Sequence, residues 1–557
     1  MRTRVRVSSD EAATGGIGRA SALLASGTLV SRLLGFVKAA VLLHTIGILA
    51  AGDAFAVANQ LPNLVYELVA GGILSAVLIP QIVRAGLHDD GGQRFINKLL
   101  TLGVVIFISV AAIATLAAPW LIDLYTQSAV AGGDGFSSDG IALATAFAYW
   151  CLPQVLFYAL YSLLGEVLNA RKIFGPFTWA PVVNNVVAIA GLIVFSVLFG
   201  GDGVNSSPDG WSAPMIAVLA GSSTLGVAAQ AGVLAFFWRR TGLSFRPDFR
   251  WRGVGLSTAG KAAGWLFAMV AVSQLAGIVQ SNVVTLAAGT GSSVITLGTA
   301  WLIFMVPFSV IAVSIMTVYF TRMSGHATTG NYDGVRADLS SSIRAIGVIL
   351  VFAMVAMIVA AYPLSRIFTA SFGGVIDMGN LVIAFAIGTV PFSMVFVLQR
   401  TFYALEDTRT VFFIVFAKSA VFVGGLLLVA LLPVDQIGLA VALLTSAIAF
   451  IYFGLAFIVL RRRLGNLDGR LLFWRHVQYL GAGVVAGGAG FGILFLLGGY
   501  HPAGFALSNW FSALIAVFIV GAVMAPVYVA VLMVMRNPEL RTLSFTIRSR
   551  FGRGRSE

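Results

Sequence analysis

The chain has 557 residues, of which 59% are hydrophobic and only 10% charged, and its mean hydropathy is +0.94. A soluble domain carries about 25% charged residues, so this composition excludes a soluble enzyme and marks a polytopic all-α membrane protein. The net charge of +13 would suit an acidic partner such as nucleic acid, unless the bases have a topological explanation.

Residues 1–19 form a basic, polar tail expected on the cytoplasmic side. The apolar stretch Ala20–Leu29 has no small-residue cleavage pattern after it and is read as the start of a first span. Apolar runs then fall near 20–48, 54–86, 96–122, 140–168, 177–200, 213–238, 262–288, 294–321, 343–364, 379–404, 410–432, 436–460, 476–498 and 509–535. Each approaches or exceeds the roughly 20 residues a bilayer requires, so about fourteen transmembrane helices are expected.

With the N-terminus placed inside, all but four of the 35 Lys and Arg fall on the cytoplasmic side. The exceptions are Arg366 in an outside loop and Arg32, Lys38 and Lys418 within spans. Basic cytoplasmic loops are what the positive-inside rule describes, and both termini are expected in the cytoplasm. The basicity is topology, and no nucleic-acid partner is inferred. The single cysteine, Cys151, permits no disulfide within the chain and reads as a buried, inert thiol.

Arg32 and Lys38 are costly where they stand, at about 2.5–3.5 kcal/mol for a cation at mid-bilayer, and such residues usually face a wet cavity or a partner. Six residues separate them, about 240° net around a helix, so they share no narrow stripe but could reach a broad cavity at different depths. Span two is unusually polar, with Asn59, Gln60, Asn63 and Glu67. Asn59, Asn63 and Glu67 are spaced for one helix face. Glu166 lies near the end of the fourth span.

An internal repeat is visible. Ser31-x-Leu33-x-Gly35-x-Val37-Lys38 recurs as Ser273-x-Leu275-x-Gly277-x-Val279-Gln280. Leu61-Pro62 matches Val306-Pro307, and the exit at Arg84–His88 matches Arg322–His326. Six spans separate the copies, which implies two lobes in one orientation, related by a pseudo-twofold axis along the membrane normal. Gln274 and Gln280 replace Arg32 and Lys38, so the cationic character belongs to the N-terminal lobe. The domains expected are the tail 1–19, an N-lobe 20–239, a basic cytoplasmic linker 240–261 and a C-lobe 262–460. A basic loop 461–475, a further helix pair 476–535 and a basic tail 536–557 follow.

On these motifs the chain resembles the MurJ/MviN family of lipid II flippases, within the superfamily that also holds multidrug and oligosaccharide-lipid exporters. The matching stretches are Ser31-Arg32-Leu33-Leu34-Gly35-Phe36 and Asp53-Ala54-Phe55-x-Val57-Ala58 with Leu61-Pro62-Asn63-Leu64. Leu163–Ala170 with Phe174–Asn184, and Tyr403-Ala404-Leu405-x-Asp407-Thr408, add to them. The resemblance covers about residues 20–535. It implies a transporter, not an enzyme, that moves lipid II or a similar polyprenyl-pyrophosphate glycolipid across the bacterial cytoplasmic membrane by alternating access. Family cavity cations map to Arg32 and Lys38, and a family acid maps to Asp53. Membrane lipids and cell-wall synthesis proteins are the further partners it implies. The chain departs from the family where Arg pairs often follow Asn63-Leu64 (here Val65, Tyr66 and Glu67) and where Gly71 stands for an acid. It departs again in span eight, which is uncharged over Trp301–Pro307.

Arg guanidinium binds phosphate oxygens bidentately and Lys adds a point charge, which suits a pyrophosphate headgroup. Gln60, Asn63, Gln274 and Gln280 are expected to contact sugar and peptide, with Glu67 beside them. No cofactor is expected, and coupling to membrane potential or a monovalent cation would supply the drive. The alternatives are a flippase for another polyprenyl-linked glycan and a cation or drug antiporter, for which Glu67 is the main support. A scaffold that transports nothing is the third.

Overall fold

The computed structural model describes residues 8–70, 90–127, 135–201, 205–250 and 256–540, with side chains of the first helix placed from Ser26. Among the described residues the protein is helical, with no extended β-strand element. It forms two compact units, Met1–Asn282 and Val283–Glu557.

In the first unit α1 spans Ser8–Ile46, α2 Ala50–Ala70, α3 Gln93–Leu116 and α4 Ala118–Tyr125. They are followed by α5 (Ser138–Cys151), α6 (Gln154–Ala170), α7 (Phe174–Phe199), α8 (Ala213–Phe237) and α9 (Leu256–Thr285). α1 begins within the stretch read as a tail, and α9 begins within the stretch read as a linker. In the second unit α10 (Val294–Pro307) continues through a π turn at Phe308–Ala312 into α11 (Val313–Thr328). α12 (Tyr332–Val359), α13 (Ala361–Arg366), α14 (Phe372–Ile387), α15 (Thr389–Ala404) and α16 (Thr408–Val429) come next. α17 (Val434–Leu464), α18 (Gly469–Leu496), α19 (Phe505–Ser508) and α20 (Trp510–Val534) complete it.

Twelve described helices are long and apolar enough to cross a membrane, and α14 with α15, bent by 44°, makes a thirteenth. The expected span 54–86 is described only to Ala70, as α2. Gly71, the repeat's exit at 84–88, and the bases after residue 540 lie outside the described residues. The span positions follow the apolar runs because a bilayer leaves the backbone no partner but itself, so each run closes its own hydrogen bonds as helix. Ends are set by side chains. Ser137 accepts from the Gly140 N–H to start α5, and Asn509 starts α20 with a reciprocal capping box to Ser512.

Among the described residues a span in each unit is divided by a turn, and the two divisions are matched. α5 stops at Cys151, with Pro153 before α6; the orphaned Trp150 carbonyl accepts from Thr224 Oγ1 of α8 at 2.7 Å. α14 stops before Gly388, whose N–H turns to Phe385 O; the orphaned Ala384 carbonyl accepts from Ser446 Oγ of α17 at 2.6 Å. In both units the hydroxyl that heals the break comes from the helix two spans further along the chain, the relationship a repeat would produce.

The apolar cores lie within the units. Ile96, Leu99, Phe107, Val155 and Leu163 pack together in the first. In the second, Tyr479, Ala486, Val520 and Met524 bring α18 and α20 together over Val348 and Val351 of α12.

Candidate functional site

α1 lies along α7 through small residues. A Cβ on Gly27 would sit 2.7 Å from Thr178 Cγ2, so a larger residue here would force the Thr178 side chain to shift. Four residues on, the Ser31 carbonyl accepts from Asn185 Nδ2 at 2.9 Å, and further along Thr45 Oγ1 and Ser196 Oγ are 3.0 Å apart. Lys38 is seven residues, about two turns, from both Ser31 and Thr45, so it shares the face that meets α7 and is half-buried. Arg32, about 100° around from Ser31, is exposed. Neither cation has a hydrogen bond or an ion pair among the described residues.

The polar residues of α2 divide. Asn59 turns into the unit, where its Oδ1 accepts from Ser223 Oγ at 2.9 Å and from Gln154 Nε2 at 3.5 Å. Gln154, fully buried, also donates to Thr224 Oγ1 at 2.9 Å. Asn63 and Glu67 are exposed and bonded to each other, Nδ2 to Oε1, at 2.9 Å. The single face expected for Asn59, Asn63 and Glu67 is therefore two faces, because each step of four residues drifts about 40° and two steps reach about 80°. Gln60 is exposed, and Asp53 is wholly buried at the start of the helix.

Gln274 of α9 donates to the Leu64 carbonyl at 2.9 Å, which fastens α9 beside Asn63. Ser281 and Asn282 fasten its far end to the Tyr125 and Leu124 carbonyls at 2.6 and 2.8 Å. Gln280 is half-buried between these ties. The structure thus brings Asn63, Glu67 and Gln274 together, and it places Arg32, Lys38 and Asp53 in separate surroundings. Outside this group, Glu166 is half-buried on α6, and Lys418 Nζ stands 5.8 Å from the Phe422 ring centroid. Cys151 is buried.

Sequence reasoning missed the polar knot of Gln154, Ser223 and Thr224. Its signal was a glutamine straight after Pro153 inside an apolar run, which only an interior partner can accommodate. It also missed the tie of Asn185 to α1, which fixes the backbone beside Arg32.

A multi-pass helical bundle with a matched broken span in each unit, and with cations in its first helix that have no ion pair among the described residues, is built as a membrane transporter. Comparison with known proteins makes this specific. The family model described as lipid II flippase MurJ matches residues 42–512, most of the chain, and the chain belongs to that family. A probable lipid II flippase MurJ of Haemophilus influenzae is 26% identical over 460 residues, covering 77% of this chain and 84% of the relative. The Rickettsia prowazekii protein of the same description is 25% identical, covering 70% and 74%. Among solved structures, lipid II flippase MurJ in an inward closed conformation shares the fold with a TM-score of 0.69 at 17% identity, over 92% of this chain and 99% of that one. A multidrug MATE transporter of the MOP superfamily, inward-facing, gives 0.53 at 14% identity over 80% and 94%.

Proposed function

We propose that this protein flips lipid II, the undecaprenyl-pyrophosphate-linked peptidoglycan precursor, from the inner to the outer leaflet of the bacterial cytoplasmic membrane. Transport proceeds by alternating access, with both termini in the cytoplasm as the bases in the loops direct. The observation that carries the reading is the exposed Arg32 guanidinium on an apolar helix, without an acid against it among the described residues, in a chain of this family.

Arg32 binds the pyrophosphate oxygens and Lys38 adds positive potential from the α7-facing side of the same helix. Gln60, the Asn63–Glu67 pair, Gln274 and Gln280 offer hydrogen bonds to sugar and peptide. The lipid tail stays in the bilayer. A net charge moved across the membrane responds to the potential by about 2.3 kcal/mol per elementary charge per 100 mV, which supplies a drive without nucleotide hydrolysis.

The test is complementation of a strain depleted of its lipid II flippase. Wild-type protein restores growth, and Arg32→Ala at equal membrane abundance does not. Equal rescue by both removes Arg32 from the mechanism. Failure of abundant wild-type protein transfers the reading to another polyprenyl-linked glycan, whose pyrophosphate the same cations would suit.

A further inference from the structure

The segment after α8 is an extended strap bonded along the first turns of α3. Gln93, Asn97 and Thr101 stand at four-residue intervals on one face of α3. Gln93 clasps Ser244 from both sides: its Nε2 donates to the Ser244 carbonyl at 2.5 Å, and its Oε1 accepts the Ser244 N–H at 2.9 Å. The Arg246 N–H donates to Asn97 Oδ1 at 3.3 Å and the Asp248 N–H to Thr101 Oγ1 at 3.0 Å. Alternate residues of an extended chain thus meet every fourth residue of a helix, which fixes the strap's direction and its faces.

The pattern has chemical consequences. Leu243, Phe245, Pro247 and Phe249 take one face, and Ser244, Arg246, Asp248 and Arg250 the other. Leu243 is buried in the core beside Trp238, but Phe245 is 45% exposed and Phe249 65%. Arg246 and Arg250 are exposed as well. The strap also has a direction in depth. It starts opposite Gln93, in the polar turn Gln93–Lys98, and ends opposite Thr101, after the apolar run has begun at Leu99. It therefore runs along α3 from the polar turn toward the apolar run, so that Phe249 and Arg250 follow Thr101 at the boundary between the two, and exposed aromatic and basic side chains are favoured at such a boundary in a membrane.

We propose that this strap is a docking surface for anionic phospholipid in the leaflet it meets, the cytoplasmic one in the orientation proposed above. Phe245 and Phe249 enter the interface, and Arg246 and Arg250 engage lipid phosphates, Arg250 with a side chain that is 90% exposed although its Nε lies 3.4 Å from Asp248 Oδ1. Charge and depth select this occupant. Two arginines on a period-two amphipathic strand, held at the membrane surface by three side chains of a spanning helix, match a plane of phosphates above hydrocarbon. This surface is separate from the flipping site, and a failure of lipid II transport would leave it intact.

The test uses the full chain in nanodiscs. Cys151 is buried, so Pro247→Cys gives one accessible thiol for an environment-sensitive fluorophore. Discs of phosphatidylcholine are compared with discs that also contain phosphatidylglycerol. The expected result is a blue shift and protection from aqueous iodide in the anionic discs, with roughly a fivefold loss of this preference for each arginine removed. Arg246→Gln with Arg250→Gln abolishes the preference, and the paired Arg→Lys variant, checked for the same monodisperse elution, retains it. Identical emission in both discs, or a preference that survives the Gln pair, overturns the proposal. So does Arg-dependent binding of a short RNA while the label stays open to iodide in anionic discs.

Discussion

Thr224 Oγ1 lies 2.7 Å from the Trp150 carbonyl and closes the backbone gap that precedes Pro153. Ser446 does the same for Ala384 in the second unit. These hydroxyls stabilise breaks at which a span would otherwise present an unpaired carbonyl to a medium without water. Thr224→Val and Ser446→Ala are each expected to destabilise the protein by about 0.6–2 kcal/mol. Thermal unfolding in detergent checks this, with Thr224→Ser remaining close to wild type. Unchanged melting of both apolar variants would show that the breaks need no such support.

Arg32 is exposed and without an ion pair among the described residues, so no internal partner is lost when it is replaced. Its substitution should therefore affect substrate binding more than folding. Charge-assisted hydrogen bonds contribute about 1.5–3 kcal/mol, so Arg32→Ala is expected to weaken binding of a polyprenyl pyrophosphate by roughly 10- to 150-fold. Arg32→Lys keeps the charge but loses the fork, and should fall between the two. Titration of the detergent-solubilised protein, with melting temperature as the folding control, measures both. A loss in melting temperature as large as the loss in affinity would assign Arg32 to the fold instead.

The spans were legible because each is a long apolar run; the breaks after Cys151 and before Gly388 were not, because the hydroxyls that mend them lie 74 and 62 residues away. The repeat was legible in Ser31–Lys38 against Ser273–Gln280. What the sequence hid was the rotation of side chains about their helices. The spacing of Arg32 and Lys38 separates them around α1, but nothing local says that the side carrying Lys38 is the one that meets α7. Asn59 and Asn63 are one turn apart, yet Ser223 and Gln154 draw the first inward. Those partners come from residues 95 and 164 positions away, and no local pattern reports them. The strap was hidden for the opposite reason: its basic residues are accounted for by topology, and its partners Gln93, Asn97 and Thr101 lie 147 to 151 residues earlier in the chain.

Glu539, just past α20, gathers two arginines. Its Oε1 is 2.9 Å from Arg344 Nε on α12, and its Oε2 is 4.0 Å from Arg475 Nε on α18. The three side chains are mostly but not wholly buried, so removing the acid should cost less than breaking a fully buried pair. Glu539→Ala is expected to destabilise by about 1–3 kcal/mol, and Glu539→Gln by less. The same variants should expose residues near the start of α18 to faster hydrogen exchange. Unaltered exchange there, with a normal melting temperature, would show that the contact holds nothing in place.

On the strap, the Asp248 carboxylate accepts the Arg250 N–H at 2.9 Å and lies 3.4 Å from Arg250 Nε. The backbone N–H is the largest cause that holds this carboxyl below the usual carboxylate range, with the charges of Arg250 and Lys98 adding to it. A carboxyl whose value is lower in the folded state binds its proton more readily when released, so the contact is fully present above the ordinary carboxylate range. It is lost as pH falls below that range through the depressed value. The strap should therefore keep its conformation at neutral and mildly acidic pH and loosen only in stronger acid. Asp248→Asn keeps the acceptor oxygen but removes the charge, and should abolish this acid dependence while leaving Ser244 and Arg246 bonded to α3. Hydrogen exchange of the segment 244–250, corrected for intrinsic rate and followed with falling pH in both proteins, is the measurement. Loosening at the same pH in the Asn variant would place the responsible group elsewhere.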